Sequence, residues 1–232
     1  MPRTSAFSDV RRADAATALI SSWIVPDPAV QVAAADAVLD AWEAQERPDA
    51  MLSLTAFLSL DGTEVLHHAQ WTDDEAHREW ARAHRPAALA PVDAAIPGIR
   101  RPGLVRYRLG GSHVPDGVPA SAPELLVTPV FTTTGPEAQH ALTDTVLDAL
   151  AEAQVPGLLG AYLFRSQDGS RVLNHAEWTD LAAWQAFADS PAPARIAARI
   201  AALDGVTPDS GGPDGVRRYR LHGGLVNVAP PA

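Results

Sequence analysis

The stretch Val65-Leu66-His67-His68-Ala69-Gln70-Trp71-Thr72-Asp73 returns 107 residues later as Val172-Leu173-Asn174-His175-Ala176-Glu177-Trp178-Thr179-Asp180. Extending the comparison to Met51–Trp80 against Leu158–Phe187 gives thirteen identities in thirty ungapped positions, including Phe57/Phe164, Asp61/Asp168 and Gly62/Gly169. Val38-Leu39-Asp40-Ala41 matches Val146-Leu147-Asp148-Ala149 upstream, and Arg106-Tyr107-Arg108-Leu109 matches Arg218-Tyr219-Arg220-Leu221 downstream. The offset drifts from 108 to 107 to 112 between these blocks, as loop insertions make it do. A period this long with two copies is a duplicated domain rather than a solenoid.

Each copy reads β-α-β-β-α-β. In the first, Leu19–Val25 is an apolar strand, and Asp27-Pro28 places a capping side chain before a proline at the start of a helix. Val30, Ala34, Ala37, Val38, Ala41 and Trp42 recur at helical spacing. Asp61-Gly62 is a hairpin turn signal between strands Met51–Leu60 and Glu64–Trp71. Thr72 or Asp73 caps a second helix that Pro86 is expected to break, and Gly103–Leu109 forms the last strand. The second copy has strands at Leu125–Phe131, Leu158–Gln167, Arg171–Trp178 and Val216–Leu221. Its first helix starts near Pro136, and its second is interrupted by Pro191 and Pro193. The expected domains are residues 17–111 and 124–224, joined by Gly110–Pro123. Helices on one sheet face leave the other bare, and a lone copy would expose an apolar patch that soluble monomers rarely tolerate. Two copies packed sheet to sheet remove it. The expected fold class is therefore α+β: tandem ferredoxin-like βαββαβ repeats closing as an intramolecular dimeric α+β barrel.

Composition narrows the chemistry. The 232 residues carry a formal charge of −10 and no cysteine, and every basic side chain is arginine. Disulfides, thiolate metal sites, a cysteine nucleophile and a Schiff-base lysine are excluded. An acidic surface disfavours nucleic acid and anionic membrane as partners. No apolar run reaches membrane-spanning length and the N-terminus lacks a signal-peptide pattern, so a cytoplasmic location is expected. The histidines have no familiar ligand spacing, and no metal site is expected.

Strand alternation puts His67 with Trp71 on one face, and Asn174 with Trp178 on the equivalent face; His68 and His175 point the other way. Taken alone, a tryptophan at a strand end most often packs in a core, and a buried histidine most often is hydrogen-bonded scaffold. Arg106/Arg108 and Arg218/Arg220 usually would pair with carboxylates or lie in solvent, and one of them could bind an acidic substrate group.

The β-α-β-β-α-β order, with a third strand ending Trp-Thr-Asp before a helix that breaks midway, resembles the antibiotic biosynthesis monooxygenase family of the dimeric α+β barrel superfamily. Cofactor-independent members of that family oxidise phenolic tricyclic polyketides such as anthrones. The resemblance implies an enzyme that needs no cofactor and uses O2 and a small aromatic substrate. Asn174 and Trp178 match the family's asparagine and tryptophan, and the family's helical arginine falls between Arg195 and Arg199. His67 and His175 are candidate proton relays, and Trp71 and His68 candidate substrate contacts. The first copy departs from the pattern, with His67 where the asparagine would stand. Haem-degrading relatives use a helical histidine, and none follows Trp178. A polyketide cyclase, isomerase or decarboxylase working by acid–base chemistry remains the alternative, as does a non-enzymatic ligand-binding barrel. A homodimer of fused pairs is a further possible assembly.

Overall fold

A computed structural model of the chain describes residues 1–45, 48–117, 122–209 and 216–227. The strands are β1 (Arg3–Thr4), β2 (Thr17–Ile24), β3 (Met51–Ser59), β4 (Glu64–Trp71), β5 (Val105–His113), β6 (Leu125–Thr133), β7 (Leu158–Ser166), β8 (Arg171–Trp178), β9 (Val206–Pro208) and β10 (Val216–Val226). The helices are α1 (Gln31–Glu43), α2 (Asp74–Ala95), α3 (Pro136–Ala153), α4 (Leu181–Ala188) and α5 (Ala192–Ala201). The mixed α+β class and the repeated ferredoxin-like order are present.

The chain forms two compact units. One comprises Met1–Arg106 with Tyr219–Ala232, the other Tyr107–Arg218. These divide the chain differently from the sequence repeats 17–111 and 124–224. The first unit's strands lie in the order β1-β10-β3-β4-β2, with β10 contributing from Tyr219 onward. Tyr219 stands opposite Ser59, Leu54 opposite Ala69, and Ser21 opposite His67. The second unit's order is β5-β7-β8-β6-β9, with Tyr107 opposite Ser166 and Tyr162 opposite His175. Both last strands run longer than expected: β5 takes in Gly110–His113, which read as linker.

Helical periodicity does what it promises. α1 buries Ala34, Ala35, Val38, Leu39 and Ala41 against Leu19, Leu54 and Trp71. α3 buries Leu142, Val146 and Leu150 against Val127, Ala161 and Trp178. Within those apolar faces sit two glutamines. Gln31 donates its amide hydrogens to the Glu64 and Ser59 carbonyls and to Ser59 Oγ at 2.7–3.1 Å, and Gln139 donates likewise at Arg171 and Ser166 at 2.8–3.2 Å. Each satisfies its own buried polarity while closing the hairpin below. In that hairpin Asp61 Oδ1 accepts from Ser59, Thr63 Oγ1 and the Thr63 amide, with Gly62 at φ 76°.

One expectation is overturned. α2 does not break at Pro86; it continues through Pro86 and Pro91 to Ala95. Each proline removes one backbone hydrogen bond, but Trp80, Ala88 and Val92 are buried on the core on either side and hold the segment in line. The second copy does break. α4 ends at Ala188, Asp189 and Ser190 turn the chain, and Pro191 and Pro193 sit at the start of α5, where a missing N–H costs nothing.

Gly157 precedes β7 at φ 79°, and a Cβ there would collide with the Cβ of Ala183 on α4. Gly157→Ala is expected to destabilise the second unit by about 1–3 kcal/mol, from left-handed backbone strain and displacement of α4. Denaturant titration of the variant measures it; a loss under half of that would show that α4 is free to move aside.

Candidate active site

The cavity of the second unit has a volume of about 620 Å³, inside the range of roughly 300–1,000 Å³ typical of small-molecule sites. β8 supplies Asn174, Ala176 and Trp178, alternate residues of one strand face. β6 adds Val127, Pro129 and Phe131, α3 adds Val146 and Leu150, and α4 adds Trp184, Gln185 and Phe187. α5 closes it with Pro193, Ile196, Ala197 and Ile200, and Arg218 reaches it from the start of β10. The chain breaks between α4 and α5 beside this cavity, where the first unit lays one continuous helix on its core.

Two polar atoms in this wall have no hydrogen-bond partner: Asn174 Oδ1 and Trp178 Nε1. Asn174 is 8% exposed and Trp178 3%. A buried unpaired acceptor and donor each cost about 1–3 kcal/mol, and both are found in the wall of the cavity. Four residues along a strand span roughly 13 Å. The two residues are therefore set apart along the cavity wall rather than side by side. Trp178 packs its ring 5.3 Å from Phe187, and the Arg218 guanidinium carbon lies 4.6 Å from the centroid of the Trp184 ring, a cation–π contact.

The equivalent space in the first unit is about 70 Å³, room for a few waters. Its walls are the same positions refilled: Trp42 for Leu150, Trp23 for Phe131, Trp80 for Phe187, His77 for Trp184 and His67 for Asn174. Trp42 and Trp80 lie 5.9 Å apart, and Trp80 is 5.9 Å from Trp71. His67 is 5% exposed, edge-on to Trp23 at 4.7 Å, and neither ring nitrogen has a hydrogen-bond partner. Burial pushes its pKa down to about 3, the Arg101 charge beside Trp23 pushes the same way, and a weak approach by the Ser21 backbone opposes them. Such an imidazole stays neutral near pH 7 and is a poor proton acceptor, so the relay role expected of His67 is not supported. His77 is lowered to about 4 by burial and by Arg106, with Asp74 opposing.

The other expected residues divide plainly. Trp71 lines the small pocket, 1% exposed, with His77 edge-on at 5.0 Å. His68 and His175 are buried on the opposite strand faces and line neither space. His175 Nε2 lies 3.3 Å from Glu177 Oε1, between the edges of Tyr162 and Phe164. Arg195 and Arg199 do not line the cavity either. They occupy an α5 face one residue out of phase with Ile196 and Ile200, and Arg199 pairs with Glu152 at 2.8 Å. The cavity's arginine is Arg218. Trp184 and Phe187 went unmarked because they belong to a short helix whose apolar residues read as ordinary core.

Leu150→Trp copies into the second unit the residue that helps fill the first. It is expected to remove ligand binding there by at least tenfold, at a stability cost of about 1–3 kcal/mol. Calorimetric titration with any ligand of the cavity checks it; unchanged affinity would place the binding elsewhere.

The fold is ferredoxin-like, and its second unit holds an aromatic-lined cavity. Residues 130–199, within the second unit, match the family model described as Antibiotic biosynthesis monooxygenase. No curated protein sequence matches the chain. Among solved structures, an anthrone oxidase-like protein matches at TM-score 0.71 and 15% identity, covering 97% of this chain and 96% of that one. A candidate monooxygenase from Fusobacterium nucleatum matches at TM-score 0.54 and 12% identity, covering 92% and 98%. Another from Lactobacillus acidophilus matches at 0.53 and 7%, covering 91% and 99%. At these identities the likeness is one of fold.

Among the described residues, no group of three or more His, Asp or Glu side chains could hold a metal ion, and no helix is long and apolar enough to cross a membrane.

Proposed function

We propose that the second unit is a cofactor-independent monooxygenase that oxidises a phenolic, anthrone-type aromatic with O2, in the making of an antibiotic polyketide. The observation that carries this reading is the apolar chamber of about 620 Å³ holding an unpartnered acceptor, Asn174 Oδ1, and an unpartnered donor, Trp178 Nε1. A flat phenol completes both. Its hydroxyl donates to Asn174, and a second oxygen accepts from the Trp178 indole. As the phenol ionises, its proton leaves to solvent and the charge is delocalised onto the second oxygen, where the hydrogen bond from the Trp178 N–H strengthens in this apolar chamber. The anion then passes one electron to O2, and the two radicals combine at carbon. Collapse of the peroxide leaves one oxygen atom on the ring as a ketone and releases the other as water.

The described lining holds no carboxylate and no imidazole. The first unit, with about 70 Å³ and a histidine of depressed pKa, serves as scaffold.

An oxygen electrode with 1,8-dihydroxyanthrone tests it. The expected result is one O2 consumed per product, with the product gaining one oxygen and losing two hydrogens by mass. Loss of water or CO2 from a polyketide without oxygen uptake would replace this reading with the acid–base one.

A further inference from the structure

The second cavity runs further than its counterpart. Ile196, Ala197 and Ile200 of α5 and Val206 and Pro208 of β9 line it, whereas the described lining of the first space stops at Arg85 on α2 and includes neither Arg100 nor Arg101. Register shows where the extension lies. β6 runs between β8 and β9, and Phe131 stands opposite Val172 on one side and Pro208 on the other. Val172 is two residues before Asn174 and six before Trp178. The extension therefore opens past Asn174, at the end away from Trp178. In the first unit a single bridge, Ile24 to Arg100, stands in the place of β9. The next residue, Arg101, lays its guanidinium 4.2 Å from the centroid of the Trp23 ring. Trp23 is the counterpart of Phe131, so the register position that carries a guanidinium in one copy carries Pro208 in the other.

Volume says how much more than a ring system the cavity takes. An apolar cavity of about 150 Å³ accommodates one benzene, roughly 25 Å³ per non-hydrogen atom. On that scale about 620 Å³ takes about 25 such atoms, of which a dihydroxyanthrone supplies about two thirds. The five residues of the extension offer no side-chain donor or acceptor, so a polar group placed among them loses its water without replacement. Ile200 is buried, and Ala197 and Pro208 are exposed, so these walls run from the core towards the surface. We propose that the α5–β9 end of the cavity is a subsite for an apolar substituent, an alkyl chain of up to about eight carbons, carried on the substrate ring whose hydroxyl meets Asn174. The inference rests on the reading of this cavity as the substrate site, and it adds the substituent that the substrate carries there.

Calorimetric titration with four probes tests this: 1-naphthol and its 3-ethyl, 3-butyl and 3-(3-hydroxypropyl) derivatives, which carry the hydroxyl and the chain on one ring. Affinity for the wild-type protein is expected to rise about two- to fourfold with each methylene through the butyl compound, the transfer value reduced by ordering of the chain. The hydroxypropyl compound, equal to butyl in size, is expected to bind at least about tenfold more weakly than butyl, because its hydroxyl finds no partner. Two exposed positions locate the chain. Ala197→Phe fills the subsite from α5, and Pro208→Arg installs the first copy's residue on β9. Each is expected to shrink the ratio of butyl to unsubstituted affinity to below about threefold, as the transfer gain is lost. A flat alkyl series in the wild type, a hydroxypropyl compound that binds as tightly as butyl, or no uptake of any probe would each overturn the proposal. So would a butyl preference that survives either substitution in a protein of native circular dichroism. The oxygen-uptake assay is read separately. Uptake with a flat alkyl series removes the subsite and leaves the oxygenase, and a graded series without uptake does the reverse.

Discussion

Lowering the pH from 6.5 to about 3 is expected to cost the first unit on the order of 4 kcal/mol through His67, and His67→Phe is expected to abolish that part of the loss. In the unfolded chain His67 takes up a proton at its ordinary pKa of 6.5; in the folded chain it stays neutral down to about 3. Between those values the unfolded state binds more protons, so stability rises with pH across the window. It is complete above pH 6.5 and lost as the pH falls to about 3. The cause is structural. The ring is enclosed at 5% exposure, edge-on to Trp23, with no partner for either nitrogen. Phenylalanine keeps the edge contact and removes two buried polar atoms. The variant should therefore also be more stable than wild type at neutral pH, by about 1–3 kcal/mol. Urea midpoints collected across the window give both numbers. A shallower slope persisting in the variant down to about pH 4 belongs to His77. Parallel pH profiles for variant and wild type would show that His67 is solvated.

Asn174→Ala and Trp178→Phe are each expected to lower the rate of anthrone oxidation by 10²–10³, equivalent to about 2.7–4 kcal/mol of barrier, with substrate affinity falling far less. Trp178→Phe is the cleaner change. It keeps a flat ring against Phe187 and deletes only the N–H that has no partner inside the protein. Steady-state oxygen uptake separates kcat from KM for each. Rates within threefold of wild type for both single variants would move the chemistry away from this strand.

The repeat, the strand order and the helix faces could all be read from residue patterns, because alternation and 3.6-residue spacing are local consequences of backbone geometry. The resemblance singled out Asn174 and Trp178, alternation put them on one strand face, and the cavity lies on that face. What escaped was set by volumes and phases. Leu150 against Trp42 looks like a neutral exchange of apolar residues in sequence, yet it separates a chamber of about 620 Å³ from a space of about 70 Å³. Arg195 and Arg199 matched an expected distance from Trp178, but one residue of phase on α5 turns them outward. Pro86 marked a helix end that core packing overrides, whereas the Pro191 break was legible because the turn at Asp189 and Ser190 precedes it. The buried Gln31 and Gln139 were invisible as clamps, since a glutamine on an apolar face signals nothing until its three acceptors are placed.

The filled space around Trp42 and Trp80 sets a stoichiometry. Two identical subunits would carry every substitution in duplicate, so neither chamber could close without its twin. Here the two copies differ: four indoles line the filled space and two line the open one. A ligand titrated into the full chain should reach saturation at a single equivalent per polypeptide.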